Sequence, residues 1–518
     1  MKKLPVGISN FSEMITEGYY YVDKTWYVQH LTHTGKYYFL SRPRRFGKSL
    51  FVDTLQCAFE GKKELFQGLY LEKHWDFAQT YPVLKFSLGR GRVTSFEELN
   101  SRLLSLMDEQ ADYHELQCKY ELVADRFSEL IRGLHAKAGQ RVVILVDEYD
   151  KPLLDNLEDE SKAEEMRDGL KNFYSVLKDS EAFIKFCFVT GVSKFSRVSI
   201  FSDLNNLKDI SLDPKTGALC GYTQPELEST FEDRLSGIDL DQLSRWYNGY
   251  NFLGPEKVYN PFDVLLFLDS GQFGNYWFET ATPSFLVRLL RQRRFYLPDL
   301  EGIEVSESAI SAMSMHTMLA ETVLFQSGYL TIDQARILGP RRFYRLCFPN
   351  QEVKLGFTDA LLAEYTQSPV SLAGVQTSMY QALDTQDLDL MRTTLQSLFS
   401  SIPSEWYRKN AITEYEGYYA SVIYAFLASL GFDLHPEKSS SHGRADLIID
   451  TKHTVYVMEF KVVELEGDGV KAIAQIKDRG YHQQYVQAGR EVILMGMDFS
   501  RAERNLVGFE SERVTLES

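Results

Sequence analysis

Short apolar runs alternate with helical patterns over the first part of the chain. Four of these runs indicate buried strands, at residues 37–40, 83–86, 142–146 and 183–190. Apolar runs without alternation are typical of strands that are covered on both faces, and the amphipathic stretches between them predict the covering helices. The pattern therefore predicts an α/β fold with a parallel sheet.

The pattern changes twice further along the chain. A mostly helical stretch, broken by Asn-Gly, Gly-Pro and Asn-Pro turns, follows the predicted sheet and indicates a helical lid or adaptor. A second α/β pattern comes after it, with a helix at 414–430, a β-hairpin at 446–462, a helix at about 470–487 and a strand at 491–495. The expected domains are 1–215, 216–370 and 371–518.

Composition narrows the class of protein. Hydrophobic residues make up 44% of the 518 residues and charged residues 25%, which is typical of a globular chain and excludes a disordered or fibrous one. The net charge of −16 argues against coating nucleic acid by bulk charge, so nucleic-acid binding requires a local basic surface. Five scattered cysteines without a CxxC pair argue against a disulfide framework and predict a cytoplasmic protein. The longest apolar helical stretch has 15 residues, at 418–432, which is too short to span a bilayer, so the protein is not expected to enter a membrane.

A Gly-Lys-Ser tripeptide stands between the strand at 37–40 and the next helix. In a P-loop, backbone N–H groups at such a helix start cradle phosphates, the lysine contacts the terminal phosphates, and the hydroxyl binds Mg²⁺. The first glycine of the strict pattern falls at Arg42, so a basic turn that merely opens a helix is the alternative. The residues expected to contact nucleotide here are Arg45, Phe46, Gly47, Lys48, Ser49 and Leu50.

A second element strengthens the phosphate-binding interpretation. The strand at 142–146 ends in Asp147 and Glu148, where parallel sheets place their ligands. Asp147 is expected to hold Mg²⁺ together with Ser49, and Glu148 to orient the attacking water. Thr190 or Ser193, after the next strand, is a candidate sensor of the γ-phosphate.

The C-terminal hairpin brings two carboxylates together. If Lys452 and His453 form a two-residue turn, Asp446 lies opposite Glu459, and Lys461 points to the same face. Directly opposed carboxylates repel unless a cation separates them, so this pairing predicts a Mg²⁺ site that polarises a phosphate, with Lys461 beside it. An exposed Glu-Lys pair without catalytic function is the alternative.

Glu416 is a third candidate acid. Its offsets from Tyr419, Ala420, Ile423 and Leu427 place it on the packed face of its helix, although a first-turn glutamate favoured by the helix dipole is the alternative.

Four segments carry a resemblance to a known family. Residues 21–25, 42–49, 146–150 and 201–207 resemble the AAA-ATPase-like proteins with a C-terminal nuclease domain of the PD-(D/E)XK superfamily. The resemblance implies a P-loop NTPase-like sheet, a restriction-endonuclease-like C-terminal domain, and an arginine at position 42 as a family variant. It also implies that Asp23 and Lys24 lie near the nucleotide, and that Glu416, Gln475 and Tyr481 belong to the nuclease site.

These observations lead to one expected function and one alternative. We expect an ATP-binding protein, an ATPase, coupled to a Mg²⁺-dependent phosphodiesterase acting on nucleic acid, with DNA favoured over RNA. The alternative is a nucleotide-dependent switch or scaffold whose nuclease-like domain only binds nucleic acid or a protein partner. Hydrolysis would draw on an arginine such as Arg197, and an oligomer is left open. Two basic clusters are candidate nucleic-acid contacts, namely Arg288, Arg291, Arg293 and Arg294, and Arg341, Arg342 and Arg345.

Overall fold

The computed structural model describes most of the chain. The described residues are 1–157, 159–194, 200–201, 204, 206–281, 286, 290, 295–310, 319–366, 369–402, 416–435, 447–451, 454–464, 470–480 and 482–514. Two compact units contain them. The first unit comprises Met1–Trp277 and Glu304–Arg345, and the second comprises Phe278–Ile303 and Leu346–Ser518.

The first part of the chain alternates helices and strands. The helices are α1 (Phe11–Thr16), α2 (Thr25–Thr34), α3 (Lys48–Phe59), α4 (Phe96–Tyr113), α5 (Val123–Ala138), α6 (Lys151–Leu154), α7 (Glu160–Asp179), α8 (Gln224–Thr230), α9 (Leu240–Tyr247), α10 (Pro261–Ser270), α11 (Tyr276–Ala281), α12 (Glu307–Ile310) and α13 (Ala320–Ser327). The strands are β1 (Tyr37–Ser41), β2 (Val83–Ser87), β3 (Val142–Asp147), β4 (Ile184–Gly191), β5 (Lys208–Asp209), β6 (Ile303–Ser306), β7 (Thr331–Leu338) and β8 (Arg341–Cys347). Short 3-10 turns lie at Lys63–Phe66, Tyr70–Lys73, Glu181–Phe183, Pro214–Thr216, Glu232–Arg234 and Leu297–Glu301.

The remaining elements belong to the second unit. The helices are α14 (Gln351–Thr366), α15 (Pro369–Thr385), α16 (Leu388–Ser400), α17 (Glu416–Ser429), α18 (Val470–Arg479) and α19 (Gln483–Gln487). The strands are β9 (Asp433–His435), β10 (Leu447–Asp450), β11 (Thr454–Val463), β12 (Glu491–Ser500) and β13 (Leu506–Val514).

The first unit is built on a five-stranded parallel sheet in the order β2-β3-β4-β1-β5. The predicted α/β fold class is therefore confirmed, and the four predicted strands match β1 to β4 to within one residue at each end. The order places β4 between β1 and β3. The loop after β1 and the acids after β3 consequently lie on either side of the end of β4.

Apolar side chains cover both faces of this sheet, as the uninterrupted apolar runs predict. On one face, strand residues such as Phe39 and Ile144 share a core with helices α4, α5 and α7. On the other face, α3 packs Phe51 against Phe188 and Phe59 against Phe186, with ring centroids 5.5 and 5.4 Å apart. Removal of so much apolar surface from water fixes the strand ends that carry polar groups.

The middle of the chain contains helices α8 to α11 and also a three-stranded sheet in the order β6-β8-β7. The second basic cluster belongs to the stretch that was predicted to be mostly helical, and for these arginines that prediction is wrong. Arg341, Arg342 and Arg345 lie on strand β8, which follows β7 after a turn at Gly339 and Pro340. Gly339 has a φ of 59°, and proline lacks a backbone N–H, so this pair ends a strand and cannot continue a helix.

The second unit carries a mixed sheet in the order β13-β12-β11-β10-β9, in which β11 and β12 are parallel and the other pairs antiparallel. Helix α18 covers one face, where Ile476 joins Val455, Val457, Val492 and Leu494 in a core. On the opposite face, Tyr419 of α17 stacks on Phe499, 4.6 Å away.

The predicted C-terminal hairpin has the predicted register. Leu447 pairs with Met458 and Asp450 with Val455, and the N–H of Thr451 donates to the carbonyl of Thr454. The helix predicted at 470–487 is divided in two, because Gly480 has a φ of 67° and ends α18. The strand predicted at 491–495 extends to Ser500.

Some predicted features lie outside the described residues. They include Asp446, Tyr481, Arg197 and the first arginine cluster, namely Arg288, Arg291, Arg293 and Arg294. Across the part of the chain that the structure describes, we find no helix with the length and apolarity needed to cross a bilayer.

Candidate functional site

The loop between β1 and α3 has an unusual backbone. Gly47 has a φ of 91° and Arg45 a φ of 68°, so two residues adopt the left-handed conformation. The position at Arg45 carries strain for a residue with a Cβ. The Arg45 guanidinium lies 4.4 Å from the ring centroid of Phe262, and this cation–π contact offsets part of the energetic cost of the strained backbone. Left-handed residues among right-handed ones let successive N–H groups face one concavity, which suits an anion.

Helix α3 begins with backbone donors that face no partner in the described part of the chain. The first intrahelical bond runs from the N–H of Phe51 to the carbonyl of Gly47. The N–H groups of Lys48, Ser49 and Leu50 precede this ladder, as the first donors of every helix do. A twelve-residue helix also concentrates partial positive charge at this end, so the geometry favours a phosphate there.

The side chain of Lys48 lies folded against the loop. Its Nζ donates to the carbonyls of Arg42 and Pro43 at 3.0 and 2.9 Å, and the side chain is buried. Burial lowers the pKa of Lys48, and the negative charge of Asp147 acts in the opposite direction. The ammonium group therefore sits at the helix start beside the acids that follow β3.

Arg42 occupies the position where a strict P-loop has its first glycine, and it is a structural residue. It is 1% exposed, and its Nη1 donates to the carbonyls of Ser41 and Ser211 at 2.9 and 2.6 Å. Its Nη2 donates to the carbonyl of Thr216 at 3.1 Å, and the guanidinium lies 3.9 Å from the ring centroid of Phe252. Burial lowers the pKa of Arg42 to about 10. Arg42 thus ties the loop to the chain that follows β5.

The aromatic residue of the loop also has a packing function. Phe46 is buried between the rings of Tyr250 and Phe252, with centroids 4.7 and 5.9 Å away. Its carbonyl accepts a hydrogen bond from the N–H of Gly221. Phe46 therefore positions the loop and contributes no side-chain donor to a phosphate.

Asp147 and Glu148 lie at the carboxyl end of β3, as predicted. Asp147 is buried, and its Oδ1 accepts from the N–H of Glu148 at 2.9 Å. Glu148 has a φ of 55°, a left-handed conformation that directs its side chain over Gly89. Burial raises the pKa of Glu148, and the charge of Asp147 raises it further. A carboxyl group with a raised pKa is suited to accepting a proton from water.

The acid that follows this pair, Asp150, connects two strand ends. It is 1% exposed and accepts hydrogen bonds from the N–H of Val192 and from both the N–H and the hydroxyl of Ser193, the last two at 2.7 Å. Burial raises the pKa of Asp150, and the bonds from Ser193 oppose that shift. Sequence reasoning assigned no role to Asp150. The signal that could have found it was a third acid close behind the apolar strand, two residues beyond Glu148.

The two candidate γ-phosphate sensors are already engaged. The hydroxyl of Thr190 donates to the carbonyl of Leu40 at 2.8 Å, and that of Ser193 donates to Asp150. Both residues lie at the carboxyl end of β4, between the loop after β1 and Asp147, and their sensor role stays a prediction. Their hydroxyls hold strand ends together in this conformation.

Asp23 and Lys24 make protein contacts at the start of α2. Asp23 accepts from the N–H and hydroxyl of Thr25 and from the N–H of Tyr70. Lys24 Nζ donates to Glu226 at 2.6 Å and to the carbonyl of Ala218 at 2.8 Å. The pair therefore joins α2 to other parts of the first unit, and its nearness to a nucleotide stays a prediction.

The second unit concentrates polar side chains where the apolar face under α18 ends. Glu459 of β11 is 1% exposed, and its Oε1 accepts from Lys461 Nζ at 3.4 Å and from the amide of Gln475 on α18. Val455 and Val457 precede Glu459 on that same face. The structure thus brings together three predicted site residues, Glu459, Lys461 and Gln475.

Sequence reasoning missed one carboxylate at this place. Lys461 pairs in register with Asp498 of β12, so the two side chains share a face, and Asp498 is 4% exposed. The predicted strand ended at residue 495 and left Asp498 beyond the sheet. The continued alternation of Gly496, Asp498 and Ser500 with Met497 and Phe499 was the signal that could have found it.

The side chains of two predicted acids of this site lie outside the described residues. The register that predicts Asp446 opposite Glu459 is observed at Leu447 to Asp450, but Asp446 itself lies outside the described residues. Glu416 begins α17, and its side chain is outside them as well. Both metal-binding assignments stay predictions.

The donor sets fit a hard divalent cation. A hydroxyl and carboxylate oxygens, at Ser49 and Asp147 and again at Glu459, are the ligands that Mg²⁺ accepts. Within the described ranges, no three His, Cys, Asp or Glu side chains gather to hold a metal ion. Mg²⁺ takes one or two protein carboxylates and completes its shell with water and phosphate oxygens.

Comparison with known sequences agrees with the two-part architecture. The family described as "Predicted AAA-ATPase" matches residues 5–201, and the family described as "PD-(D/E)XK nuclease superfamily" matches residues 414–509. The "Uncharacterized protein in vnfD 5'region" of Azotobacter chroococcum mcd 1 is 47% identical over 513 residues, which cover 99% of this chain and 99% of that relative. No solved structure matches the chain. The two family matches suggest an ATPase and a nuclease.

The structural role of Arg42 generates a prediction. Arg42→Gly restores the strict P-loop pattern but removes buried hydrogen bonds to three carbonyls, so it should lower the free energy of unfolding by about 2–4 kcal/mol. Urea denaturation without nucleotide measures this change. Arg44→Gly is the matched control, because the neighbouring arginine is exposed, and it should cost less than half as much. Equal losses in the two variants would contradict the bracing role.

Proposed function

This chain belongs to the AAA-ATPase-like proteins that carry a C-terminal PD-(D/E)XK nuclease superfamily domain, and on that premise we propose a coupled function. The first unit binds ATP with Mg²⁺ and hydrolyses it. The second unit is a Mg²⁺-dependent phosphodiesterase that acts on nucleic acid, with DNA favoured, and the nucleotide state of the first unit controls it.

Nucleotide binding rests on the start of α3. The N–H groups of Lys48, Ser49 and Leu50 point at the place of a phosphate, and the Lys48 ammonium needs only to leave two loop carbonyls to reach it. Ser49 and Asp147 are the residues that would hold Mg²⁺. Asp147 is buried and fixed by the N–H of Glu148, so its carboxylate is preorganised.

Hydrolysis is assigned to Glu148. Its left-handed backbone goes with a carboxylate that lies against Gly89, and its raised pKa suits a group that takes a proton from water. Asp150, Thr190 and Ser193 hold the ends of β3, β4 and β1 in place, so they act as positioning residues for this acid.

The nuclease assignment is carried by one observation, the meeting of Glu459, Lys461 and Gln475. A carboxylate that is 1% exposed at the end of an apolar face is costly to bury, and two donors to one of its oxygens offset that cost. Bound Mg²⁺ polarises a phosphate and lowers the pKa of water. Glu459, with Asp446, would hold that ion, Gln475 orients the Glu459 carboxylate, and Lys461 stabilises charge that develops on the phosphate oxygens.

Several expectations from the sequence enter this proposal unchanged. They are the domain limits 1–215, 216–370 and 371–518, the cytoplasmic location, the metal role of Glu416, and an arginine such as Arg197 completing the ATPase site in an oligomer.

Lys461→Ala should abolish metal-dependent cleavage. We expect at least a 100-fold lower rate, on the order of the loss caused by removing one group that stabilises developing charge. The assay uses a mixture of single- and double-stranded DNA and RNA with Mg²⁺ or Mn²⁺, with and without ATP. Lys477→Ala is the matched control, because this lysine lies in the same unit, 45% exposed and paired with Glu512, and should leave the rate unchanged.

The outcomes of this assay separate the two functions. Cleavage that Lys461→Ala lacks, and that changes with ATP, supports a coupled nuclease. Cleavage by Lys461→Ala at the parent rate contradicts the site. If the parent cuts no substrate under either metal while it still binds ATP, the switch or scaffold replaces the nuclease.

Lys48→Ala should weaken ATP binding by about 10- to 100-fold, because it removes a charged donor to phosphate worth about 1.5–3 kcal/mol. Isothermal titration with Mg²⁺-ATP measures the dissociation constant. Lys63→Ala removes a charge from an exposed lysine of the same unit and should leave the affinity unchanged. Parent-like affinity in Lys48→Ala would show that phosphate does not bind at α3.

Gly89→Ala tests the position of Glu148. A methyl group at residue 89 overlaps the Glu148 carboxylate and must displace it, and a shift on the order of 1 Å costs about 100-fold in rate. ATP turnover should therefore fall while ATP affinity is kept. Gly133→Ala is the control, because its new methyl group finds only ordinary contacts at 3.9 Å. Parent-like turnover in Gly89→Ala would contradict the role of Glu148.

A further inference from the structure

The three-stranded sheet of the first unit has a distinctive topology. Strand β6 is followed by helices α12 and α13 and then by the β7–β8 hairpin, and the sheet order is β6-β8-β7. This is the arrangement of a winged helix. There, a strand is followed by helices and then by a hairpin, the wing, whose second strand lies in the middle of the sheet. Modules related to helix-turn-helix proteins use such parts to contact nucleic acid.

Helix α13 cannot enter a groove, because it is the attachment of this module. Six of its eight residues are buried. Gln326 accepts a hydrogen bond from the N–H of Lys194 at 3.0 Å and donates to the carbonyl of Ile310 at 2.9 Å. Gly328, with a φ of 95°, ends the helix so close to the P-loop that a Cβ there would lie 2.6 Å from Pro43. The hairpin is the part of the module left to face outward.

The hairpin is exposed and basic. Residues 331–347 contain four arginines and one aspartate, a net charge of +3 in a chain whose net charge is −16. Strand β7 is buried at Thr331 and Ile332 and exposed from Gln334 to Leu338. Because the chain is acidic overall, nucleic-acid binding requires a local basic surface, and this hairpin supplies one.

The tip of the hairpin combines apolar and basic side chains. Ile337 is 70% exposed and Leu338 60% exposed, next to the turn at Gly339 and Pro340. Large apolar side chains flanked by arginines are the composition of elements that enter the minor groove of DNA. The minor groove of an RNA duplex is wide and shallow, so an inserted apolar tip makes few contacts with its walls. The composition of the tip therefore favours DNA.

The acids near the hairpin leave its arginines available. Arg336, Arg342 and Arg345 lie 3.6, 3.4 and 3.9 Å from Glu304, Glu307 and Asp333. Each pair is partly exposed, so it contributes little and exchanges readily for a phosphate. In the described part of the chain, Arg341 has no carboxylate partner.

We propose that the β7–β8 hairpin is a wing that binds duplex DNA, with Arg336, Arg341 and Arg342 on backbone phosphates and Ile337 and Leu338 in the minor groove. The proposal rests on the proposed nucleic-acid substrate and names where the first unit holds it. Its test is a binding measurement, which is independent of cleavage.

The test uses the full chain in EDTA without nucleotide, so that nothing is cut, and measures the fluorescence anisotropy of a labelled DNA duplex of about 30 base pairs over a range of salt. The triple variant Arg336→Gln, Arg341→Gln, Arg342→Gln should bind at least about 10-fold more weakly. Its plot of log affinity against log salt should be shallower by about 2–3, because three phosphate contacts are lost. The control is the triple variant Lys162→Gln, Lys171→Gln, Lys178→Gln, which removes the same charge from exposed positions on α7. It should change neither the affinity nor the salt dependence.

A second variant tests the tip. Ile337→Ser with Leu338→Ser should lower the affinity and leave the salt dependence unchanged. The proposal is overturned if the parent does not bind the duplex, if the triple variant binds like the parent, if the α7 control loses as much, or if an RNA duplex competes equally. It is also overturned if the tip variant changes only the oligomeric state. A parent protein that binds the duplex in EDTA but cuts no substrate with Mg²⁺ or Mn²⁺ contradicts the nuclease and keeps the wing.

Discussion

The loop between β1 and α3, the candidate phosphate-binding loop of the first unit, depends on the buried guanidinium of Arg42. This group donates to carbonyls at residues 41, 211 and 216, and the carbonyl of Arg42 in turn accepts from Lys48. A planar group with five donors satisfies several carbonyls at once in a way that the ammonium group of a lysine cannot. The left-handed residues Arg45 and Gly47 follow directly, so the loop's conformation, its lysine and the exposed N–H groups of α3 all rest on this one contact set.

The second unit places its chemistry by a related rule. In both units, apolar strand residues anchor a strand, and charged groups begin where the apolar run ends. Val455 and Val457 lead to Glu459 on β11, as Val142 to Val146 lead to Asp147 on β3. The packed interior fixes the strand, and the strand end then holds a carboxylate in a low-dielectric setting where Lys461 or Lys48 acts strongly on it.

Much of this arrangement could be predicted from the sequence because it depends on local pattern. The strands β1 to β4, the site of Gly47 to Ser49 and the register of the C-terminal hairpin follow from apolar runs, turn signals and pairing arithmetic. The burial of Arg42 could not be predicted, because two of its three acceptors lie about 170 residues away in the chain. Asp498 was missed for a different reason, since a strand's last residues carry the weakest apolar signal. The strand that carries Arg341 was missed because the flanking helical patterns outweighed a hairpin turn.

The two candidate sites also differ in what their sequence motifs can reveal. The proposed phosphate binding at α3 draws on main-chain N–H groups, which every residue supplies, and on the side chains of Lys48 and Ser49, so the other side chains of the loop are free to serve the fold. That is why an arginine can replace a motif glycine there, since Arg42 shapes the backbone through its bonds to the carbonyls of Ser41, Ser211 and Thr216. The site on β11 uses side-chain atoms of Glu459, Lys461 and Gln475, and none of these has a main-chain substitute. A departure at position 42 therefore changes the way the first site is braced, whereas a departure at Glu459, Lys461 or Gln475 removes the chemistry proposed for the second.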